Sequence, residues 1–293
     1  MDPGVGASGR TTAWLLAALV AASIEPVLVK FGYRAQATPW QLLVVKNLVA
    51  AAAIVPITRQ LRWIGGAGVL RVARVSVLLL CTNALSLLAL TRLPAVTQMT
   101  VVATTPALVA IVSERRGRAA LGRRFWAGFA LCFAGLLLTV DAIRPGALRA
   151  DALGLAFAFG AVVSSTAYRT TLEDLTKTLE PATVSTWVFL INAALALAFI
   201  APWAGLPPRA AWAVGSWIGL AGALANVAFI EALHRVGAAR LSVFTLLQRP
   251  LVMVVAAVAL REPLRALQIV GVAGVLAGVR LAQPAPDAKE ARR

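Results

Sequence analysis

The chain has 293 residues, of which 60% are hydrophobic and only 14% are charged. Soluble domains are about 45–50% apolar, so this composition leaves too little polar surface to coat a water-soluble globule. The net charge of +16 would suggest nucleic acid in a soluble chain, but here the arginines lie in short segments between apolar runs, where they act as topology signals. We therefore expect a membrane protein with no nucleic-acid partner.

Apolar runs of about 17–22 residues recur along the chain, and each is long enough to cross the roughly 30 Å hydrocarbon layer as a helix. The first run resembles a signal peptide, but no cleavage site is followed by soluble sequence, so we expect it to remain as span one. The sequence thus predicts an all-α polytopic membrane protein with ten transmembrane helices. The predicted spans are at about 12–32, 40–57, 75–91, 95–112, 125–141, 152–169, 183–201, 211–233, 240–259 and 265–282.

Two apolar, helix-spaced segments resemble each other at a separation of 143 residues. Residues 83–95 read NALSLLALTRLPA, and residues 226–238 read NVAFIEALHRVGA. A fixed separation of this kind indicates an internal duplication. The register continues along the chain in Gly128 with Gly271 and Gly135 with Gly278, while the prolines slip by one, Pro106 against Pro250.

The duplication predicts two domains, a first five-helix repeat at 1–145 and a second at 146–283, followed by a disordered cytoplasmic tail at 284–293. Because five is an odd number, the second repeat must enter the membrane in the opposite orientation to the first. Inverted repeats allow two bundles to exchange inward-open and outward-open shapes around one central site.

The distribution of positive charge predicts the orientation in the membrane. Eighteen Lys and Arg residues fall on the side that holds both chain ends, seven fall on the opposite side, and three lie within spans, which completes the total of 28. Positively charged loops face the cytoplasm, so both termini are predicted to be cytoplasmic. The alanine- and arginine-rich composition favours a bacterial inner (plasma) membrane.

Each repeat ends with a helix hairpin, a proline in the next span, a charged loop and a final helix with spaced glycines. The second copy is the clearer, with QRP at 248–250, LREPL at 260–264 and glycines within 271–278. This order resembles the EamA domain of the drug/metabolite transporter (DMT) superfamily, and two tandem copies cover nearly the whole chain. The resemblance implies a ten-span transporter of small metabolites with both termini inside. The glutamate that the family places after the proline matches Glu262, whereas the first repeat has Ala119.

Ionisable side chains within spans are the first candidates for the substrate path, because each costs at least roughly 2.5–3.5 kcal/mol at the bilayer centre. Glu25 in span one and Lys46 in span two fall roughly 11 Å and 9 Å below the same membrane face. Opposite charges at matched depth should pair, so both are predicted to line the outer part of the path. The alternative is a static ion pair that fixes helix packing.

Arg249, about halfway along span nine, is the second candidate. Its guanidinium suits a carboxylate or phosphate on the substrate; it could equally bond to backbone carbonyls freed by Pro250 and lock the bundle. The aligned residues of the first repeat are Thr105 and Pro106, so the two half-sites differ in charge. That asymmetry favours an anionic or zwitterionic cargo. Gln248 beside Arg249 joins the predicted site.

Uncharged polar residues within spans complete the candidate set, in which Asn47, Gln98 and Tyr168 are predicted substrate contacts. Their alternative role is hydrogen bonding between helices, worth about 0.6 kcal/mol on average. Asn83 and Asn226 are repeat mates, which favours a symmetric structural or gating role over substrate choice. The asparagines and glutamine within spans are Asn47, Asn83, Gln98, Asn192 and Asn226.

Two local patterns predict helix contacts. Gly271, Gly274 and Gly278 form a small-residue stripe on span ten, for which close helix packing is the main expectation and a homodimer a further one. Glu231 is predicted to pair with Arg235, four residues later on the same helix.

The sequence favours transport over catalysis. A single histidine leaves no histidine-based metal cluster, and no GxxxxGK[ST] motif indicates ATP as the energy source, so we expect neither an enzyme nor a cofactor. The predicted function is a secondary transporter, as an exporter, of small metabolites, amino acids or drugs by alternating access. The alternatives are a lipid or lipid-linked sugar flippase and a non-transporting membrane scaffold.

Overall fold

The computed structural model describes residues 16–17, 19–20, 23, 28, 31–32, 36–59, 62–93, 95–118, 120–139, 151–248, 250–251 and 265–282. Every regular element in these ranges is a helix, and none is a strand, which confirms the all-α class. The helices long and apolar enough to cross a bilayer are Pro39–Thr58, Gly65–Ser86, Ala152–Thr176, Pro181–Ala204 and Ala211–Val236. With the shorter apolar helices beside them, the chain is a polytopic membrane protein.

The helices follow the predicted spans from the second onward. In chain order they are α1 (Pro39–Thr58), α2 (Gly65–Leu90), α3 (Ala95–Val102), α4 (Thr105–Arg115), α5 (Arg123–Thr139), α6 (Ala152–Thr176), α7 (Pro181–Leu195), α8 (Arg209–Val236), α9 (Ala238–Phe244) and α10 (Ala266–Ala282). A π turn at Ala196–Ile200 and a last turn at Ala201–Ala204 continue α7, and a 3-10 turn at Thr245–Leu247 continues α9.

Two helices extend beyond their apolar runs. α2 begins ten residues before the predicted start at 75, and α6 continues seven residues past the predicted end at 169. The extension of α2 carries the exposed Arg71 and Arg74, because a helix can continue past the hydrocarbon as long as its charged ends reach water. Hydropathy therefore marks the apolar stretch and not the helix ends.

The chain packs as two compact units, and each unit takes residues from both halves of the sequence. Unit 1 comprises 1–87 and 167–237, and unit 2 comprises 88–166 and 238–293. Packing units and sequence repeats are thus different divisions of the chain, and the repeat boundary at 145/146 stays a prediction.

In unit 1, α1 packs against α7 and α8. Gly215 and Gly219 lie four residues apart on α8, a spacing that lets two helix backbones touch. A Cβ on Gly219 would lie 2.7 Å from the carbonyl oxygen of Lys46, and one on Gly215 would lie 2.6 Å from Cγ1 of Val45. This crossing fixes the middle of α1, where Lys46 lies.

In unit 2, α5 and α10 cross through glycines of both repeats. A Cβ on Gly128 would lie 2.6 Å from the carbonyl oxygen of Gly278, and one on Gly135 would lie 2.6 Å from that of Gly271. Position along α5 rises while position along α10 falls, so the two helices are antiparallel. A Cβ on Gly274 would lie 3.2 Å from the Cα of Gly135, so the stripe on α10 serves packing within unit 2, as expected, and a homodimer would need another surface.

The crossing obeys a local twofold symmetry. Under the offset of 143 residues, each glycine of α5 is the mate of a glycine of α10, and each contact maps onto the other. The mates Cys132 and Val275 meet directly, with the Cys132 thiol donating to the Val275 carbonyl oxygen at 3.4 Å. Equivalent helices that cross antiparallel about a local axis are what an inverted duplication requires, so unit 2 confirms the inverted repeat.

Candidate functional site

Six of the eight predicted substrate-binding residues are described, and Glu25 and Arg249 lie outside the described residues. The proposed Glu25–Lys46 pair therefore stays a prediction. Unit 1 holds Lys46, Asn47 and Tyr168, whereas unit 2 holds Gln98, Thr105 and Gln248.

Two polar side chains of unit 1, the buried Tyr168 and the half-buried Asn226, lie next to each other. Tyr168 lies on α6 and is only 5% exposed, and the carboxamide of Asn226, on α8, lies beside its hydroxyl. Neither the Tyr168 hydroxyl nor Oδ1 of Asn226 is in hydrogen-bonding geometry with a described group. A buried polar atom without a partner costs roughly 1–3 kcal/mol, so both atoms are strong candidates to bind a polar ligand.

Asn192 on α7 is a further buried amide of unit 1. It is 1% exposed, and neither its Oδ1 nor its Nδ2 has a partner among the described groups. The next residue, Ala193, packs with Ala223 of α8 in an apolar cluster. From the sequence, Asn192 is expected to form a hydrogen bond between helices. Hydropathy does not show whether a buried amide has a partner, so the sequence could not single Asn192 out.

Lys46 and Asn47 are neighbours in the middle of α1 but differ in surroundings. Asn47 is buried, and its Nδ2 donates to the carbonyl oxygen of Leu43 at 2.8 Å, one turn earlier. That bond engages the amide with its own helix, which favours the structural role over substrate contact. Lys46 is half-buried at the crossing with α8.

Arg169 and Glu173 are charged residues of unit 1 that the sequence reasoning did not select. The predicted sixth span ends at Arg169, but α6 continues to Thr176. The guanidinium carbon of Arg169 lies 5.3 Å from the centroid of the Phe229 ring on α8, in the range of a cation–π contact. Glu173, one turn further on, is half-buried beside Gly237 at the end of α8. Arg169 and Glu173 carry opposite charges four residues apart, and this spacing could have identified them in the sequence.

In unit 2, the predicted fourth span is broken into α3 and α4. α3 ends at Val102, and α4 begins at Thr105 after a turn at Ala103 and Thr104. Pro106 explains the break, because proline has no N–H and its ring clashes with the carbonyl four residues earlier. The turn is closed by the Thr104 hydroxyl, which donates to the carbonyl oxygen of Val101 at 2.6 Å.

The second repeat is interrupted at the equivalent place. The 3-10 turn at Thr245–Leu247 matches the break at 103–104 under the offset of 143 residues, and it lies just before Gln248 and Pro250. The hydroxyl of Thr245 donates to the carbonyl oxygen of Ser242 at 2.7 Å, as Thr104 does three residues back in the first repeat. Both repeats therefore depart from regular α-helix geometry at equivalent places ahead of a proline.

The predicted polar residues of unit 2 lie at or near these breaks. Thr105 begins α4, is 3% exposed, and its hydroxyl has no hydrogen-bond partner among the described groups. Gln98 on α3 is buried. Gln248 is half-buried; it matches Thr105 under the offset of 143 residues, whereas alignment of the prolines matches Thr105 to Arg249. Discontinuous helices in transporters present polar groups to the cargo.

A family model described as the EamA-like transporter family matches residues 10–141 and again residues 152–282. The chain belongs to the EamA-like transporter family. The two EamA matches confirm the tandem repeats and the resemblance, and they make the chain a multi-pass membrane transporter of the DMT type, with a small-molecule substrate and the lipid bilayer as its surroundings.

One solved crystal structure superposes on this EamA chain with a TM-score of 0.78 and 17% sequence identity, over 94% of this chain and 96% of the other. At this identity the likeness shows the fold alone. No curated protein matches the chain.

Proposed function

We propose that this EamA protein is a secondary transporter that exports small metabolites, amino acids or drugs across a bacterial inner membrane by alternating access, with both termini in the cytoplasm. The observation that carries the proposal is the interruption of the same helix in both repeats, at 103–104 and at Thr245–Leu247. Interrupted helices at equivalent positions of inverted repeats are typical of substrate and ion sites in secondary transporters.

The polar groups within each unit are the proposed substrate contacts. In unit 1 these are Tyr168 and Asn226, whose oxygen atoms have no described partner, and Lys46 at the α1–α8 crossing. In unit 2 they are Thr105 and Gln248, at the helix breaks. Neutral and positively charged groups favour an anionic or zwitterionic cargo, because a buried carboxylate needs donors and opposite charge. Glu25, Arg249, Asn47 and Gln98 remain further candidates from the sequence.

A thermal-shift screen of the purified protein against a metabolite library tests the proposal. Ligands that bind only the folded state raise the melting temperature in proportion to the logarithm of their concentration above Kd. The matched variants are Tyr168→Phe and Thr105→Val, each of which removes a buried hydroxyl with no hydrogen-bond partner among the described groups. The control is Ser216→Ala, whose hydroxyl donates to the Trp212 carbonyl oxygen at 2.7 Å.

We expect carboxylate-bearing or zwitterionic compounds to raise the melting temperature of the wild-type protein and of Ser216→Ala. Tyr168→Phe or Thr105→Val should lose that shift, and the same compounds should be transported in proteoliposomes. The proposal is wrong if phospholipid or a lipid-linked sugar is the only cargo moved, or if no soluble compound is transported.

A further inference from the structure

The connection between α4 and α5 is a dense positive patch in unit 2. We call residues 115–124 the arginine loop. Its sequence, RRGRAALGRR, holds five arginines in ten residues. Four of them are exposed, namely Arg115, Arg116, Arg123 and Arg124, and Arg118 is half-buried.

Local hydrogen bonds order the described backbone of the arginine loop. Gly117 adopts a φ of +64°, and the amides of Gly117 and Arg118 donate to the carbonyl oxygens of Glu114 and Ser113, both at 2.9 Å. This is the paired bonding of a Schellman cap, which ends α4. The Glu114 carboxylate then accepts the amide of Leu121 at 3.0 Å. The described part of the arginine loop is therefore preorganised.

The two ends of the loop differ in their relation to the helix dipoles. Arg115 is the last residue of α4 and Arg116 follows it, where a positive charge is stabilised by the negative end of the helix. Arg123 and Arg124 begin α5, whose first turn contains no acidic residue. Positive charge at a helix start is destabilising. Within the described residues, neither the helix dipole nor the first turn of α5 stabilises this second pair, and an external anion would do so.

The residues beside the loop are of the kinds typical of a membrane surface. Trp126, two residues after the loop, packs edge-on against Phe129 with ring centroids 6.3 Å apart, and aromatic residues of this kind gather at the level of the lipid headgroups. The α5–α10 crossing also brings the end of α10 to this level, since a Cβ on Gly128 would lie 2.5 Å from the amide nitrogen of Ala282. That turn of α10 adds the exposed Arg280.

We propose that the arginine loop, together with Arg280, binds the phosphate of anionic phospholipid headgroups. A guanidinium presents two parallel N–H groups that match a phosphate oxygen pair. Clustered basic residues next to a transmembrane helix attract anionic lipid, and each contributes about a fivefold gain in affinity. The site is separate from the proposed substrate contacts and does not depend on which cargo the protein carries.

Thermal melting of the full-length protein in neutral detergent tests the lipid site, with added phosphatidylglycerol or phosphatidylcholine. Phosphatidylglycerol should raise the melting temperature of the wild-type protein, and phosphatidylcholine should not. The double variant Arg123→Gln/Arg124→Gln should need about thirtyfold more phosphatidylglycerol for the same shift. Without lipid it should melt at or above the wild-type temperature, because two unfavourable charges leave the start of α5.

The matched control is Arg71→Gln/Arg74→Gln in α2, which removes two exposed arginines of unit 1 and should keep the wild-type response. Equal weakening in both double variants would show attraction by net charge alone and overturn the proposal. The absence of any effect of phosphatidylglycerol would also overturn the proposal, and it would leave these arginines a role only during membrane insertion. An equal shift with inorganic phosphate would identify free phosphate as the ligand and also overturn it.

Discussion

Replacing Gly278 by alanine would perturb the contact that joins the two repeats in unit 2. The new methyl carbon would lie 2.5 Å from the backbone nitrogen of Cys132 and 2.6 Å from the carbonyl oxygen of Gly128. Non-bonded heavy atoms prefer separations of about 3.5–4.0 Å, so α5 and α10 would have to move apart by about 1 Å. Both neighbours are backbone atoms, and no side-chain rotation relieves the clash.

Overpacking of this kind costs about 1–3 kcal/mol, and the higher helix propensity of alanine offsets up to about 1 kcal/mol of it. We therefore expect Gly278→Ala to lower the free energy of unfolding by about 1–2 kcal/mol. At about 2–4 °C per kcal/mol for a chain of this size class, thermal melting in detergent should show a fall of several degrees.

The same substitution at Gly222 on α8 is the control. No atom lies within 4 Å of a Cβ built there, so Gly222→Ala should stabilise the protein by about 0.5–1 kcal/mol. Local symmetry adds a second requirement, because Gly135 is the repeat mate of Gly278 and its Cβ would meet α10 backbone at 2.6 Å. Gly135→Ala should therefore lower the free energy of unfolding by about as much as Gly278→Ala does. If alanine at Gly135 or Gly278 is tolerated as well as alanine at Gly222, the close backbone contact between α5 and α10 is refuted.

Three further variants test single side chains of unit 1. Tyr168→Phe should melt at or above the wild-type temperature, because it removes a buried hydroxyl without a described partner, and it should lose transport; a large fall in melting temperature would mean that the hydroxyl is bonded. Arg169→Gln should lower stability by about 0.5–2 kcal/mol, in part through loss of the contact with Phe229, and in a double-mutant cycle the Phe229→Leu background should reduce the effect of Arg169→Gln. Glu231→Gln should cost only about 0.3–0.5 kcal/mol, because Glu231 and Arg235 form an i,i+4 pair in which Arg235 Nε donates at 2.9 Å; a loss above about 1 kcal/mol in chemical unfolding would contradict this.

The class of fold could be predicted from the sequence because its causes are local and repetitive. Apolar length predicts helical spans, and the offset of 143 residues with an odd number of spans predicts that equivalent helices run in opposite directions. The antiparallel α5–α10 crossing confirms that parity argument, and the predicted Glu231–Arg235 pair is also confirmed. The ends of α2 and α6 could not be found in this way, because helix continuation past the apolar core depends on whether charged side chains reach water.

The site was predictable only in part. Pro106 and Pro250 identified the region of Thr105 and Gln248 and the cause of the break, but the apolar pattern does not show where the turn lies or that the Thr104 hydroxyl closes it. Asn192 was visible as a polar residue in a span, whereas its lack of a described partner is a property of the packed unit. The sequence did not predict the crossing at Gly215 and Gly219. Two small residues four positions apart are frequent in membrane helices, and this spacing does not identify the partner helix.

Alternating access requires that buried polar groups become reachable from each side of the membrane in turn. Asn226→Cys in a Cys81→Ser/Cys132→Ala background provides a unique thiol on α8, and Ile230→Cys, at a fully buried apolar position one turn later, provides the control. Labelling with a membrane-impermeant maleimide in right-side-out and inside-out vesicles measures access from either side. We predict that the thiol introduced by Asn226→Cys reacts from both sides, while the one introduced by Ile230→Cys reacts from neither. Reaction of the Asn226→Cys variant from one side only, or from neither side, would contradict transport by alternating access.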